Sequence, residues 1–286
     1  MIIKFLGTSA AHSLPMPFCN CAVCVAAREL GGKDFRKRSS ILVNDDLIID
    51  LGQDFMSASF MHGVDTSKVR YWLQTHSHSD HFSAAHLITR MVEYAAAGVK
   101  PLSLYASPRC IQGMSEKLGR EERGASLLDA QWVSRLGLSV TGVEHGREFA
   151  CGDYAVTALN SAHDVGDGSL LYLVSDGPCK LFYGLDADEP TLKAETLDYF
   201  SDNSICLDVV VLDHTYGRGA GAGDHLNADQ FIEIAGEMGK RGIVNKNTKI
   251  FASHISHEGT LPHGEFALFA NRHGYDVAFD GLTVEV

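Results

Sequence analysis

Residues 76–81 read His-Ser-His-Ser-Asp-His. They directly follow a strand-like segment, Tyr71-Trp72-Leu73-Gln74-Thr75, and directly precede a helical pattern. Residues two apart in extended chain project to the same side. His76 and His78 therefore converge on one point, while the adjacent Asp80 and His81 diverge toward a second. Imidazole and carboxylate donors suit zinc, manganese or iron. The plainer reading is a polar strand-to-helix loop with Asp80 as a helix N-cap. Three histidines and an aspartate in six residues are more than a cap requires. The chain must therefore fold so that a strand end delivers these side chains to a common site.

The rest of the composition says what kind of chain carries this motif. It has 286 residues, 45% apolar and 21% charged, which are globular values and exclude a disordered chain. We read one domain, 1–286, because α/β and layered β folds often use this length undivided. The 28 glycines have no triplet period and prolines number only 7, so a fibrous protein is excluded. No uncharged apolar run approaches the roughly 18 residues of a membrane span. The opening MIIKFLGTSAAHSL reads as a first strand and turn, not a secretory signal. The net charge of −12 disfavours a large nucleic-acid partner, which asks for a basic surface. A small anionic substrate is compatible if a metal supplies positive charge. The seven cysteines are odd in number. With no signal preceding them, they fit reduced thiols in a cytoplasm.

Strands are expected at Ile2–Leu6, Ile41–Val43, Leu47–Asp50, Tyr71–Thr75, Leu102–Tyr105, Leu138–Val143, Tyr154–Leu159, Leu170–Val174, Leu181–Tyr183, Val209–Leu212 and Ile250–Ala252. Helical patterns cover Phe82–Ala97, Pro108–Leu118, Thr191–Phe200, Ala228–Lys240 and His263–His273. Hairpin-like pairs, such as Ile41–Val43 with Leu47–Asp50 across Asn44-Asp45-Asp46, favour mixed sheets over a purely parallel one. The Gly217–Gly223 stretch reads as a loop beside a site, and Asp213 and His214 lie at a strand end without an assigned role.

A second cluster, Cys19-Asn20-Cys21-Ala22-Val23-Cys24, places three thiols where they can share one tetrahedral zinc with a fourth ligand from elsewhere. The alternative is three small buried cysteines. A loop after Pro15 and Pro17 lacks the burial that alternative needs. The candidate fourth ligand is His257, in Ser253-His254-Ile255-Ser256-His257. The triplet Arg36-Lys37-Arg38 could attract a phosphate, but such a triplet is usually a solvated loop.

The HSHSDH segment resembles the HxHxDH motif of the metallo-β-lactamase fold, and Phe5-Leu6-Gly7-Thr8 and Ile48-Ile49-Asp50-Leu51-Gly52 resemble that superfamily's first strand and IDxG turn. The resemblance implies an α+β, four-layer αββα sandwich, two mixed sheets flanked by helices, with metals at one edge. It implies His76, His78 and His163 on one divalent ion, Asp80, His81 and His254 on a second, and Asp186 bridging, with Asp188 as rival to Asp186. Asp50 would stand behind the ligands or cap its turn. CxCxxC near the start, HxHxDH and a late HISH together resemble the PhnP-like phosphodiesterases, from Leu6 to Phe279-Asp280-Gly281. In that pattern Cys19, Cys21, Cys24 and His257 hold a structural Zn²⁺ and two Mn²⁺ or Zn²⁺ ions are catalytic.

The same resemblance implies a phosphodiesterase for a small anionic cyclic diester, 5-phosphoribosyl 1,2-cyclic phosphate or similar, in phosphonate metabolism. Asp80 would accept a hydrogen bond from the attacking hydroxide while touching one metal. His225 would be the general acid or phosphate clamp, its charge supported by the neighbouring Asp224. A homodimer is the assembly entertained. The alternatives are a tRNA 3′-processing-type nuclease, a thioesterase or lactonase of the same fold, a PqqB-like cofactor-biosynthesis protein, or a non-catalytic metabolite binder.

Overall fold

The computed structural model describes residues 1–94, 98–221 and 223–286. Fourteen strands are found among them, in two seven-stranded sheets. The first sheet holds β1 (Ile2–Gly7), β2 (Ser40–Val43), β3 (Leu47–Ile49), β4 (Tyr71–Leu73), β5 (Leu102–Ala106), β6 (Leu138–Gly142) and the late β14 (Thr283–Glu285), in the order β14-β1-β2-β3-β4-β5-β6. The second holds β7 (Glu148–Cys151), β8 (Tyr154–Asn160), β9 (Leu170–Ser175), β10 (Lys180–Gly184), β11 (Val209–Asp213), β12 (Lys249–Ser253) and β13 (Asp276–Val277), in the order β13-β12-β11-β10-β9-β8-β7. Both are mixed: β3 to β6 and β10 to β13 run parallel, the remainder antiparallel.

The layering follows from the period of two along each strand. In β9, Leu170, Tyr172 and Val174 face the core between the sheets, and Leu171 and Leu173 face outward. In β11, Val209 and Val211 face in while Val210 and Leu212 face out. Covering both faces explains why these strands read as unbroken apolar runs. The outer face of the first sheet packs under α2 (Phe55–Met61), α3 (Ala85–Ile88) and α4 (Pro108–Glu121), preceded in sequence by α1 (Ala22–Leu30). Beyond α5 (Ala130–Arg135) and α6 (Glu189–Thr191), the second sheet is covered by α7 (Leu197–Asp202), α8 (Ala228–Lys240) and α9 (His263–Arg272). The result is the αββα sandwich that the resemblance implies. The long helices are capped as their sequences dictate. Ser107 accepts the Cys110 N–H ahead of Pro108, and Asn227 and Gln230 form a reciprocal capping box.

Several expectations are corrected. Among the described residues of the helix expected over 82–97, only Ala85–Ile88 forms. Phe82 instead bridges to Leu51. Arg90 turns its guanidinium onto the carbonyls of Leu136, Gly137 and Lys100, so tertiary bonds override the local pattern. Residues 95–97 of that expectation, and Ala222 of the glycine-rich stretch, lie outside the described residues. The helix expected over 191–200 runs on to Asp202, interrupted by a wider turn at Leu192–Thr196. Strands β7, β13 and β14 and helices α1, α2 and α5 were not expected. They are short or carry exposed faces, so their periodicity is weak. Among the described residues no helix is long and apolar enough to cross a membrane.

Topology brings the site together. β8, β10, β11 and β12 share one direction, so their C-terminal ends lie at one edge of the second sheet. β3 and β4 likewise end together in the first. The two edges are joined where the Leu170 N–H donates to Thr75 O at 3.0 Å and the Tyr172 hydroxyl to Gln74 O at 2.8 Å.

Candidate metal centre

Each polar residue of this edge leaves a strand end. Asp50 follows β3, residues 76–81 follow β4, and His163 follows β8. Asp186 follows β10, Asp213 ends β11 and His254 follows β12. Three of them hold left-handed backbone: Asp50 (φ 64°), Asp186 (φ 53°) and His254 (φ 61°). That conformation costs a non-glycine residue of order 1 kcal/mol or more, and it persists where surrounding structure over-determines it. Gly52 meets a different need. A Cβ there would lie 2.0 Å from Asp80 O, so only glycine lets the β3 turn pass under the motif.

The histidines and carboxylates form two adjoining groups. The ligand atoms of His76, His78 and His163 lie within 4.8 Å of one another, as do those of Asp80, His81 and His254. Asp186 faces both. Its Oδ2 is 2.9 Å from His81 Nε2 and 3.3 Å from His254 Nε2, while its Oδ1 is 3.5 Å from His163 Nε2. His163 Nε2 in turn lies 3.3 Å from His78 Nδ1. Despite this crowding, His76 Nε2, His81 Nε2, His254 Nε2 and Asp186 Oδ2 are buried without a hydrogen-bond partner. Unsatisfied groups of this kind cost about 1–3 kcal/mol each. Donors aimed at a shared point and not at one another fit two divalent cations.

Behind each histidine stands a group that fixes its ring. His81 Nδ1 is 2.7 Å from Asp50 Oδ2, and His254 Nδ1 is 2.8 Å from Thr215 Oγ1 and 3.4 Å from Asp213 Oδ2. His78 Nε2 is 3.0 Å from Asp164 Oδ2, and His163 Nδ1 is 3.2 Å from Asp224 Oδ2. Gln74 ties the motif together. Its Nε2 donates to Asp50 Oδ1 and to the carbonyls of His76 and His81, and its Oε1 accepts from Trp72 Nε1 at 2.9 Å. Asp167 accepts the Ser77 backbone N–H and hydroxyl. Sequence reading singled out neither Gln74, Asp164 nor Asp167. Each is one polar residue whose partners come from distant segments, so no local spacing marks it.

Electrostatics follow from this enclosure. Burial alone would lower the His81 pKa, but Asp186, Asp80 and Asp50 carry it well above its ordinary value. His254 behaves likewise, burial opposed chiefly by Asp186, and is pushed up to about 10. His76 is held well below its ordinary value by burial and by His81. Burial works against ionised Asp80, yet His81 and His254 keep it far below the carboxylate range. The centre thus stores negative charge suited to cations.

His225 sits beside Asp186, its Nδ1 at 3.0 Å from Asp213 Oδ2 and 3.2 Å from Thr215 Oγ1. Burial would lower its pKa, but Asp213 raises it. The neighbour expected to do this, Asp224, lies instead against His163. Asp188, the rival to Asp186, caps α6 by accepting the Thr191 N–H at 3.0 Å. The Arg36-Lys37-Arg38 triplet is used internally. Buried Arg36 bonds Thr8 Oγ1, Lys37 faces Asp280 and Arg38 pairs with Asp54.

The thiol cluster assembles 253–257 with the N-terminal loop. The ligand atoms of Cys19, Cys21, Cys24 and His257 lie within 4.8 Å of one another. His257 Nδ1 is 3.3 Å from Cys21 Sγ and 3.5 Å from Cys19 Sγ. The segment is not wholly loop. Cys21 caps α1 and Cys24 is buried in its first turn. Burial would raise the Cys21 pKa, but the His257 contact brings it down to about 6, whereas burial lifts Cys24 to about 11. Three sulfurs and one imidazole nitrogen fit a tetrahedral zinc.

Comparison with known proteins agrees with this geometry. Residues 34–117 match the family model of the Metallo-beta-lactamase superfamily. No curated protein sequence matches the chain. Among solved structures, a diphosphatase from the PhnP family is similar at TM-score 0.69 and 20% identity, over 100% of this chain and 96% of that one. Zinc-bound PqqB from Methylobacterium extorquens is similar at TM-score 0.65 and 16% identity, over 100% of both chains. Human tRNase Z, short form, is similar at TM-score 0.63 and 16% identity, over 100% of this chain and 99% of that one. The chain is thus a metallo-beta-lactamase-fold protein, matching the superfamily's model over residues 34–117.

Proposed function

We propose that this chain is a metal-dependent hydrolase of a small anionic phosphodiester. His76, His78 and His163 would hold one divalent ion, Asp80, His81 and His254 another, with Asp186 shared. The observation that carries this reading is Asp186, whose two oxygens face the two groups separately. When bound, such a pair offers positive charge to phosphate oxygens and makes water acidic enough to ionise near neutral pH. That charge lets an acidic chain receive an anion.

The chain's own groups then divide the remaining work. Ionised Asp80, kept charged by His81 and His254, would accept a hydrogen bond from the attacking water or hydroxide and orient it. His225 presents Nδ1 to Asp213, which stabilises its charged form and leaves the ring's other nitrogen to donate to a departing alkoxide. A sugar alkoxide leaves poorly unprotonated, so this donor matters most for natural esters. Cys19, Cys21, Cys24 and His257 would hold a structural zinc. A ring-strained cyclic diester such as 5-phosphoribosyl 1,2-cyclic phosphate, in phosphonate metabolism, is the substrate class this reading favours. A diphosphate linkage is the second reading, favoured by the PhnP-family neighbour named as a diphosphatase.

The test is hydrolysis of bis-p-nitrophenyl phosphate, a five-membered cyclic phosphate, a diphosphate ester, a thioester and a lactone, each with Mn²⁺ or Zn²⁺ added. Diester turnover with monoesters nearly untouched is expected. Thioester or lactone turnover without any phosphoester turnover would overturn the proposal, and preference for the diphosphate would select the second reading.

A further inference from the structure

Helix α4 carries Arg109, Gly113 and Lys117, each four residues after the last. That spacing puts the three on one face, beside the apolar residues Cys110, Met114 and Leu118 that pack on the first sheet. Arg109 Nη1 donates to Val165 O at 2.9 Å. Lys117 Nζ donates to Ser77 O, the carbonyl between His76 and His78. Gly113, between them, supplies room. A Cβ there would lie 2.6 Å from both Asp167 Oδ1 and Ser77 Oγ, so a larger residue would force that pair apart.

The stripe meets loops from both sheets. Ser77 lies in the loop after β4, and Val165 and Asp167 in the loop after β8. Asp167 accepts the Ser77 N–H and, at 2.8 Å, its hydroxyl. The Asp167 N–H donates to Asp164 Oδ1 at 3.0 Å, and Asp164 Oδ2 lies 3.0 Å from His78 Nε2. The Ser77 peptide is thus held at its carbonyl by the helix and at its N–H by the other loop. These loops supply His76 and His78 on one side and His163 on the other. The second group is braced elsewhere, His81 by Asp50 and His254 by Thr215. We infer that Arg109, Gly113 and Lys117 are positioning residues for the His76, His78 and His163 site, a stripe that sets the gap between its two loops. The inference rests on the proposed pair of divalent ions.

The test reads metal binding by the full-length chain, not turnover. Mn²⁺, which thiolate sites select against, is titrated in and followed by electron paramagnetic resonance, where free, single and paired ions differ. The wild type should bind two ions with a spin-coupled signal. Lys117→Met should weaken one of them by about 10–100-fold and spare the other, so a single-ion signal replaces the coupled one. Removing a positive charge within reach of Asp80 would by Coulomb's law tighten cations, so weakening reads lost position. Lys117→Arg should restore most of the affinity. Gly113→Ala favours the helix yet should weaken the same ion, and it serves if Lys117→Met melts early. In a His163→Ala background, where that ion's site is already broken, Lys117→Met should change nothing further. Wild-type affinity for both ions in Lys117→Met and Gly113→Ala, or equal weakening of both ions, would overturn the inference and leave the metal pair standing. A wild type that holds fewer than two ions would overturn the pair, and this role with it.

Discussion

The two candidate metal clusters are built in opposite ways. The edge cluster is held by six strand ends, with His76, His81, Asp186 and His254 almost fully buried. Asp50, Gln74, Thr215 and Asp213 lock its rings before any ion arrives. The thiol cluster has little of this. Its surrounding apolar group is only Leu14, Cys24 and Ala27 with a few partly buried neighbours, and Phe18 beside it is fully exposed. A site prepared by the fold spends the ion on chemistry. A site that the fold barely supports needs the ion to exist. Chain segments 16–30 and 253–257 should therefore depend on their ion for order, while the edge should keep its shape without one.

The sharpest way to break that contrast is to exchange the two kinds of damage. Cys21→Ser should destabilise the protein by roughly 5 kcal/mol, below the 10–16 kcal/mol of small zinc domains because a sandwich remains. Its Tm should fall by roughly 10–20 °C. His78→Ala should melt near wild type and lose most hydrolysis and one equivalent of metal. Calorimetry and elemental analysis read both, and a normal melt for Cys21→Ser would erase the distinction. Next, His225→Ala should keep its metal content and lower kcat on an alkoxide-leaving diester by about 10²–10⁴, with much less loss on p-nitrophenyl esters. Loss of metal would move His225 into the cluster as a ligand.

Acid gives the third contrast, at a buried histidine behind the edge. Burial lowers the His214 pKa from 6.5 to about 4. Between those values the unfolded chain binds more protons, so stability is complete above about 6.5 and falls as the pH drops toward 4. The component is of order 3 kcal/mol. Urea unfolding at pH 7 and pH 4.5 should show it in wild type and not in His214→Phe. The smallest effect is expected at Asp50→Asn. It keeps the shape but weakens the hold on His81, costing about 10–100-fold in metal affinity or activity. An effect at the thiol cluster instead would contradict the separation of the two sites.

Legibility from sequence followed contiguity. His76, His78, Asp80 and His81 could be read because one strand end carries them all, and the thiols because they crowd into one turn. Asp213 was visible only as a strand-end acid, since its partners His225 and His254 arrive from other segments. Asp224 shows the opposite error. Adjacent in sequence to His225, it turns to His163, because the bends at residues 223–225 send neighbouring side chains apart. Central strands were found through their apolar runs, whereas β7, with three of its four residues not buried, offers no such run. The helix expected at 82–97 failed for a related reason. Phe82, Ala84, Leu87 and Met91 are buried by contacts to the sheet and to Leu51, while Val92 and Tyr94 are exposed, so no continuous helical face is buried.

The left-handed backbone at Asp50, Asp186 and His254 has a consequence for descent. Glycine would sit at those three places with less strain, so the backbone by itself would favour replacing all three. A lineage released from the chemistry should drift there first, ahead of the strands that support them. A relative retaining aspartate, aspartate and histidine at the positions aligned with 50, 186 and 254 is still under selection for what they do. One that has exchanged them keeps the scaffold alone.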